Sequence, residues 1–163
     1  MSNPLFDIIM PAFEKRWFYL VSVAVWLSLI GLDKRNRFRL LILLPIALAL
    51  TDQTGKFIKE LELGDRPWAE LKGLINHLGS TRGRHYSFPS NHAANITAAM
   101  IVLSSIYGRR VLFTSIAITI AFSRVYIGVH YPVDVVVGAA IGCIYGTSTV
   151  YIYKRYINTR AKY

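Results

Sequence analysis

Apolar positions along this chain fall in long unbroken runs, not in the strict alternation of a half-buried strand. Residues 17–32 (WFYLVSVAVWLSLIGL) contain no charge. A second run, 38–51, continues into DQTGKFIKEL, where Asp52, Lys56 and Glu60 recur every four residues. That spacing puts opposite charges on one helix face, so a single helix should leave the apolar zone at its C-terminal end. Residues 92–107 and 111–123 are two further runs, split by Gly108-Arg109-Arg110, and 133–153 is the last. The pattern predicts five membrane spans. The first run is a little short of the roughly 17–25 residues a span takes, a gap that flanking residues or local thinning would cover. Two shorter segments read as interfacial helices or as pieces packed on the bundle. Segment 4–14 places Leu5, Ile8, Ile9 and Phe13 among polar residues, and 68–78 places Trp68, Leu71, Leu74, Ile75 and Leu78 at helical spacing.

Composition sharpens this picture. Hydrophobic residues make up 53% of the 163 positions and charged residues 17%, against about a quarter charged in a soluble domain. The length suits one domain over 1–163, and the fold class expected is all-α, an integral-membrane bundle. Cys143 is the only cysteine, so no intramolecular disulfide or multi-cysteine metal site is possible. With no carboxylate cluster either, no metal or other cofactor is expected. Net charge is +10, from 19 Lys+Arg against 9 Asp+Glu. In so apolar a chain that excess points to anionic lipid and membrane topology before nucleic acid, and nothing indicates an obligate protein partner. Basic residues gather at 33–39 (Lys34, Arg35, Arg37, Arg39), at Arg109-Arg110 and in the tail (Lys154, Arg155, Arg160, Lys162). Five spans put these on one side, which the positive-inside rule makes cytoplasmic. Asp7 and Glu14 precede the first run and no small-residue cleavage site follows it, so that run is expected to stay as an anchor.

Three residue groups then fall at span ends on the opposite, outer side. Lys59 is followed by Arg66-Pro67. Pro89-Ser90-Asn91-His92 opens the third span. Ser123-Arg124, His130 and Asp134 bridge the fourth and fifth. Charges at membrane depth are costly and are normally functional or paired. Lys59, Arg66 and Arg124 lack matching carboxylates in these groups and so call for an anion. A helix start offers free N–H groups and a positive dipole end, which favour phosphate. Ser90 adds a hydroxyl and could also cap that helix, and arginine's planar fork matches phosphate geometry. Pro132 suits the first turn of a helix, which places His130 just before it and Asp134 inside it. Asp134 would fix the imidazole tautomer, leaving the other nitrogen as a nucleophile. His92 could protonate a leaving oxygen.

These motifs resemble the three signature motifs of the type 2 phosphatidic acid phosphatase (PAP2) superfamily, over positions 59–134. The superfamily includes membrane lipid phosphatases and vanadium haloperoxidases. The resemblance implies a metal-independent helical bundle with a PAP2/haloperoxidase-like core, and a phosphohistidine on His130. Asp134 would support it, His92 would act as general acid, and Lys59, Arg66, Ser90, Asn91 and Arg124 would hold phosphate. The usual Pro-Ser-Gly-His reads Pro-Ser-Asn-His here. Asn91 is among the residues that best tolerate the left-handed angles glycine permits. The connection at 68–88 adds Lys72, His77, Arg82, Arg84 and His85. Lys56, Lys72, Arg82 and Arg84 are candidate contacts to an anionic headgroup. The string Phe-Pro-Ser-Asn-His-Ala is most similar to lipid A 1-phosphatases. Undecaprenyl diphosphate and phosphatidylglycerophosphate are further candidate substrates, with the bilayer as partner. A bacterial inner membrane with a periplasm-facing site is the expected location. The same residues would serve a lipid-to-lipid phosphotransferase, and a silent lipid-binding protein is a third reading. Gly138, Gly142 and Gly146, four apart, are expected to let helices of one bundle approach closely.

Overall fold

The structure, a computed structural model, describes residues 3–160, with side chains through Tyr156. Lys162 of the basic tail lies outside the described residues. Seven helices are present and no strand among those residues: α1 (Pro4–Ala12), α2 (Arg16–Leu32), α3 (Arg37–Lys59), α4 (Pro67–Glu70), α5 (Asn91–Tyr107), α6 (Arg110–Tyr126) and α7 (Pro132–Arg160). Every long apolar run is a helix, and the breaks fall where the turn residues are. Gly108, at φ +73°, ends α5 in the left-handed conformation that glycine adopts without strain. Asn3 accepts from the N–H groups of Leu5 and Phe6 to start α1.

Helix α5 is the centre of the bundle and packs on α3, α6 and α7, while α2 lies against α3 and α1 against α6. The central core holds Leu40, Leu43, Leu44 and Ala47 of α3 with Ala98 and Val102 of α5. Small residues let the helices come close. A Cβ on Gly138 would stand 2.3 Å from the carbonyl oxygen of Ser90, and one on Gly142 2.3 Å from that of Ala94. The glycine row of α7 therefore packs inside the chain, as expected. Gly138→Ala should cost about 1–3 kcal/mol and lower activity too, because Ser90 begins the helix that carries His92. Gly31→Ala, where a Cβ meets nothing within 4 Å, should leave both unchanged; melting temperature and specific activity in detergent check the pair.

Large apolar side chains on the outside, such as Leu20 and Leu27 on α2, Ile42 and Ile46 on α3, Ile118 on α6 and Ile144 on α7, are exposed. That surface suits lipid, and the protein is an integral membrane protein. The expected count of five spans is not reproduced by length. Helix α3 and the 132–156 stretch of α7 are long and apolar enough to cross a bilayer, and α1 with α2 make a third span if counted together across their 59° bend. Helices α2, α5 and α6 have 17 residues each, about 25 Å at helical rise, short of the ~30 Å hydrocarbon core.

Segment 68–78 also departs from expectation. Only Pro67–Glu70 is helical. Gly73, at φ +82°, turns the chain out of a helical path, so the apolar spacing there serves irregular packing. Segment 4–14 does form a helix over Pro4–Ala12, and Met10 and Phe13 pack with Ile127 and Val129 beside the site described next.

Candidate active site

The C-terminal ends of α3 and α6 meet the N-terminal ends of α5 and α7 at one end of the bundle. The basic turns lie at the other end, where Tyr107 near the end of α5 donates to Asp33 at 3.1 Å. A pocket of about 120 Å³ opens at the first end, lined by Glu14, Arg66, Ser80, Arg82, His92, Arg124, Val129 and His130. Both predicted histidines and two of the three predicted cations therefore share one pocket.

His130 is buried, and its Nδ1 faces Oδ2 of Asp134 at 3.4 Å. The same carboxylate oxygen accepts from the hydroxyl of Ser87 at 2.6 Å and from the N–H of Tyr131 at 2.9 Å. These bonds fix Asp134 from two sides. With Nδ1 so engaged, Nε2 is the nitrogen left to react. Burial holds the imidazole neutral, lowered to about 4; the Asp134 hydrogen bond opposes the shift, and the charges of Arg66 and Lys59 reinforce it. A neutral imidazole is the nucleophilic form. The unfolded chain, with histidine near 6.5, takes up this proton first as pH falls. Stability due to His130 should thus be full above about pH 6.5 and decline from there towards pH 4. Melting temperature across this window should fall less steeply in His130→Gln.

Arg124 is almost fully buried, and its Nε and Nη2 both donate to Oγ of Ser123, at 3.0 and 2.9 Å. Arg66 donates from Nε to the carbonyl of Gly83 at 2.9 Å and from Nη1 to that of Val129 at 3.3 Å. Loop carbonyls thus hold the guanidinium of Arg66, and a helix hydroxyl holds that of Arg124. His92 sits in the first turn of α5, and its Nε2 hydrogen-bonds the hydroxyl of Tyr19 on α2.

Four predicted residues stand elsewhere. Lys59 donates to the carbonyls of Tyr86, Ser87 and Pro89, at 2.8, 3.4 and 2.6 Å. It clamps the segment leading into α5 and does not line the pocket. Ser90 is the N-cap: its Oγ accepts from the N–H of Ala93 at 3.4 Å, and its own N–H donates to the carbonyl of Asp134 at 3.0 Å. Asn91 turns away, its Nδ2 donating to Asp52 at 3.3 Å. It is helical and no left-handed angle is needed there, while Gly55 on α3 provides the space for its side chain. Lys56 pairs with Asp52 at 2.6 Å in solvent, as the i, i+4 spacing predicts.

Of the other headgroup candidates, Arg82 lines the pocket, whereas Lys72 and Arg84 line a neighbouring one. Arg84 also pairs with Asp65 at 2.9 Å, and His85 with the same carboxylate at 2.6 Å, which holds Asp65 below the usual carboxylate range.

Glu14, Tyr19 and Ser87 are site residues that motif reading does not reach. Glu14 corrects the expectation that the cations lack a carboxylate. It lies in the corner between α1 and α2, accepts from the N–H of Ser80 at 3.2 Å, and lines the pocket with both arginines. Glu14→Gln should tighten binding of inorganic phosphate about three- to tenfold, since a like charge beside the anion is removed; inhibition constants measured for both forms would show it.

The comparisons with known proteins follow the same residues. The chain matches the PAP2 superfamily model over residues 40–158. It belongs to the PAP2 superfamily. Among curated relatives, it is 32% identical over 154 residues to the lipid A 4'-phosphatase of Bacteroides thetaiotaomicron, covering 87% of this chain and 67% of that one. It is 37% identical over 70 residues to the lipid A 1-phosphatase of Rhizobium etli, covering 42% of this chain and 30% of that one. Among solved structures, Aquifex aeolicus LpxE aligns with a TM-score of 0.74 at 28% identity, over 91% of this chain and 87% of that one. This PAP2 protein, all-helical among its described residues, thus shares its fold with that structure.

Proposed function

We propose that this protein hydrolyses a phosphate monoester on the sugar headgroup of lipid A, through a phosphohistidine on His130. The observation that carries this reading is one pocket holding two arginines, His92, and a His130 whose Nδ1 is backed by Asp134. The names of the relatives support the substrate class, and 4'- and 1-phosphatases both stand among them. The phosphate enters between Arg66 and Arg124, which neutralise its equatorial oxygens together with nearby backbone amides. Nε2 of His130 attacks phosphorus, and the phosphorus–oxygen bond to the lipid breaks. His92, which holds a proton once the charge of the phosphate offsets the arginines beside it, gives that proton to the departing alcohol. Asp134 stabilises the imidazolium as it forms. Water then attacks phosphorus, His92 takes its proton, the phosphorus–nitrogen bond breaks, and inorganic phosphate leaves. Lys59, Ser90 and Ser87 act from behind by holding the chain that carries these groups. A pocket at the outer end of the bundle would face the periplasm of a bacterial inner membrane.

The test is phosphate release by detergent-purified protein, with excess EDTA, from lipid A, undecaprenyl diphosphate, phosphatidylglycerophosphate and phosphatidic acid. Release in EDTA with lipid A ranked first is expected, and positional analysis of the product assigns the ester as 1 or 4'. Release that EDTA abolishes would refute the histidine chemistry, and another lipid ranked first would refute the substrate.

A further inference from the structure

A second pocket, of about 370 Å³, is lined by residues including Trp68, Leu71, Lys72, Ile75, His77 and Arg84. Its chemistry is unusual for a packing gap. The indole N–H of Trp68 and both ring nitrogens of His77 are buried and have no hydrogen-bond partner among the described residues. Buried polar atoms are normally satisfied, and three together beside one cavity want an explanation. The two rings lie against each other with centroids 5.6 Å apart. Arg84 brings a guanidinium of which Nε is used on Asp65, and Lys72 brings an ammonium. Cations and N–H donors stand beside apolar Trp68, Leu71 and Ile75, a combination that suits an anionic group on a sugar or lipid.

The wall of this pocket relates it to the first. Ser80 and Arg82 line the catalytic pocket, whereas Thr81 and Arg84 line the second. The segment 80–84 therefore separates the two by a single chain. Arg66 joins them, since its guanidinium holds the carbonyl of Gly83 while its backbone N–H donates to that of Arg84 at 2.9 Å.

We propose that the pocket of Trp68, Lys72, His77 and Arg84 binds a second anionic group carried by the same lipid headgroup whose phosphate enters the catalytic pocket. This rests on the lipid phosphatase reading above. It makes the preferred substrate a headgroup with two anionic groups, bound across segment 80–84.

The test compares a bis-phosphorylated glycolipid with its singly phosphorylated counterpart, in vesicles of phosphatidylcholine with and without phosphatidylglycerol. Lys72→Gln should raise KM for the first about tenfold, the effect of losing one charge-assisted contact, with kcat kept. KM for the second should stay unchanged. Trp68→Phe, which keeps an aromatic ring and removes the N–H, should shift KM in the same direction. An equal change with both lipids, or none with either, would overturn the proposal. A change with both that appears only with phosphatidylglycerol present would overturn it in favour of bulk anionic lipid. If the wild type released phosphate from neither lipid, the catalytic reading itself would fall, a result separable from normal turnover that Lys72→Gln leaves untouched.

Discussion

His130→Ala is expected to lower phosphate release at least about a thousandfold, the scale seen when a covalent nucleophile is removed. The reason lies in the lining of the pocket. His92 is engaged by Tyr19, Ser80 is a loop residue whose hydroxyl oxygen accepts from the N–H of Arg82, and Glu14 faces the arginines. None replaces an imidazole whose Nε2 is free and whose Nδ1 side is fixed by Asp134, Ser87 and the Tyr131 N–H. Affinity for inorganic phosphate should change little, because Arg66 and Arg124 are held by Gly83, Val129 and Ser123 rather than by His130. Steady-state turnover and phosphate inhibition, measured together, separate a lost nucleophile from a collapsed site. Turnover within tenfold of wild type would sink the assignment.

His92→Asn should be nearly as severe with the lipid, about 10²–10⁴-fold, yet its loss should depend on the leaving group. A lipid sugar alkoxide needs the proton that His92 supplies, whereas nitrophenolate departs without it. With p-nitrophenyl phosphate the first step should therefore survive in His92→Asn while attack by water, which needs His92 as base, stays slow. The expected record is a burst of nitrophenol close to one per enzyme, followed by a slow phase. Equal losses with both substrates and no burst would show that His92 orders the site without moving a proton.

Much of this was legible in the residues, and the parts that were not have a common physical cause. The helices followed from apolar runs, and the pairing of His130 with Asp134 followed from their place before and within the first turn of α7. Such relations are local. Lys59 and Asn91 belong to the motifs but not to the pocket lining, because side-chain direction depends on which neighbour a helix meets. Lys59 meets the carbonyls of 86–89, and Asn91 meets Gly55 and Asp52. Glu14 enters from the corner between α1 and α2, which packs against residues 78–80, and Tyr19 enters from α2, both far away in sequence. No spacing encodes that approach. Segment 68–78 shows the converse: helical periodicity of apolar residues reports burial, and Gly73 redirects the backbone that buries them.

The central claim is the covalent intermediate on His130. The most direct measurement uses lipid labelled in its phosphoryl group, mixed with wild-type enzyme and quenched in alkali within one turnover, followed by mapping of the label. The account predicts up to one label per enzyme, on His130, stable to alkali and released by acid. Label on His92 or any other residue would contradict it, as would full turnover in His130→Ala with no labelled protein.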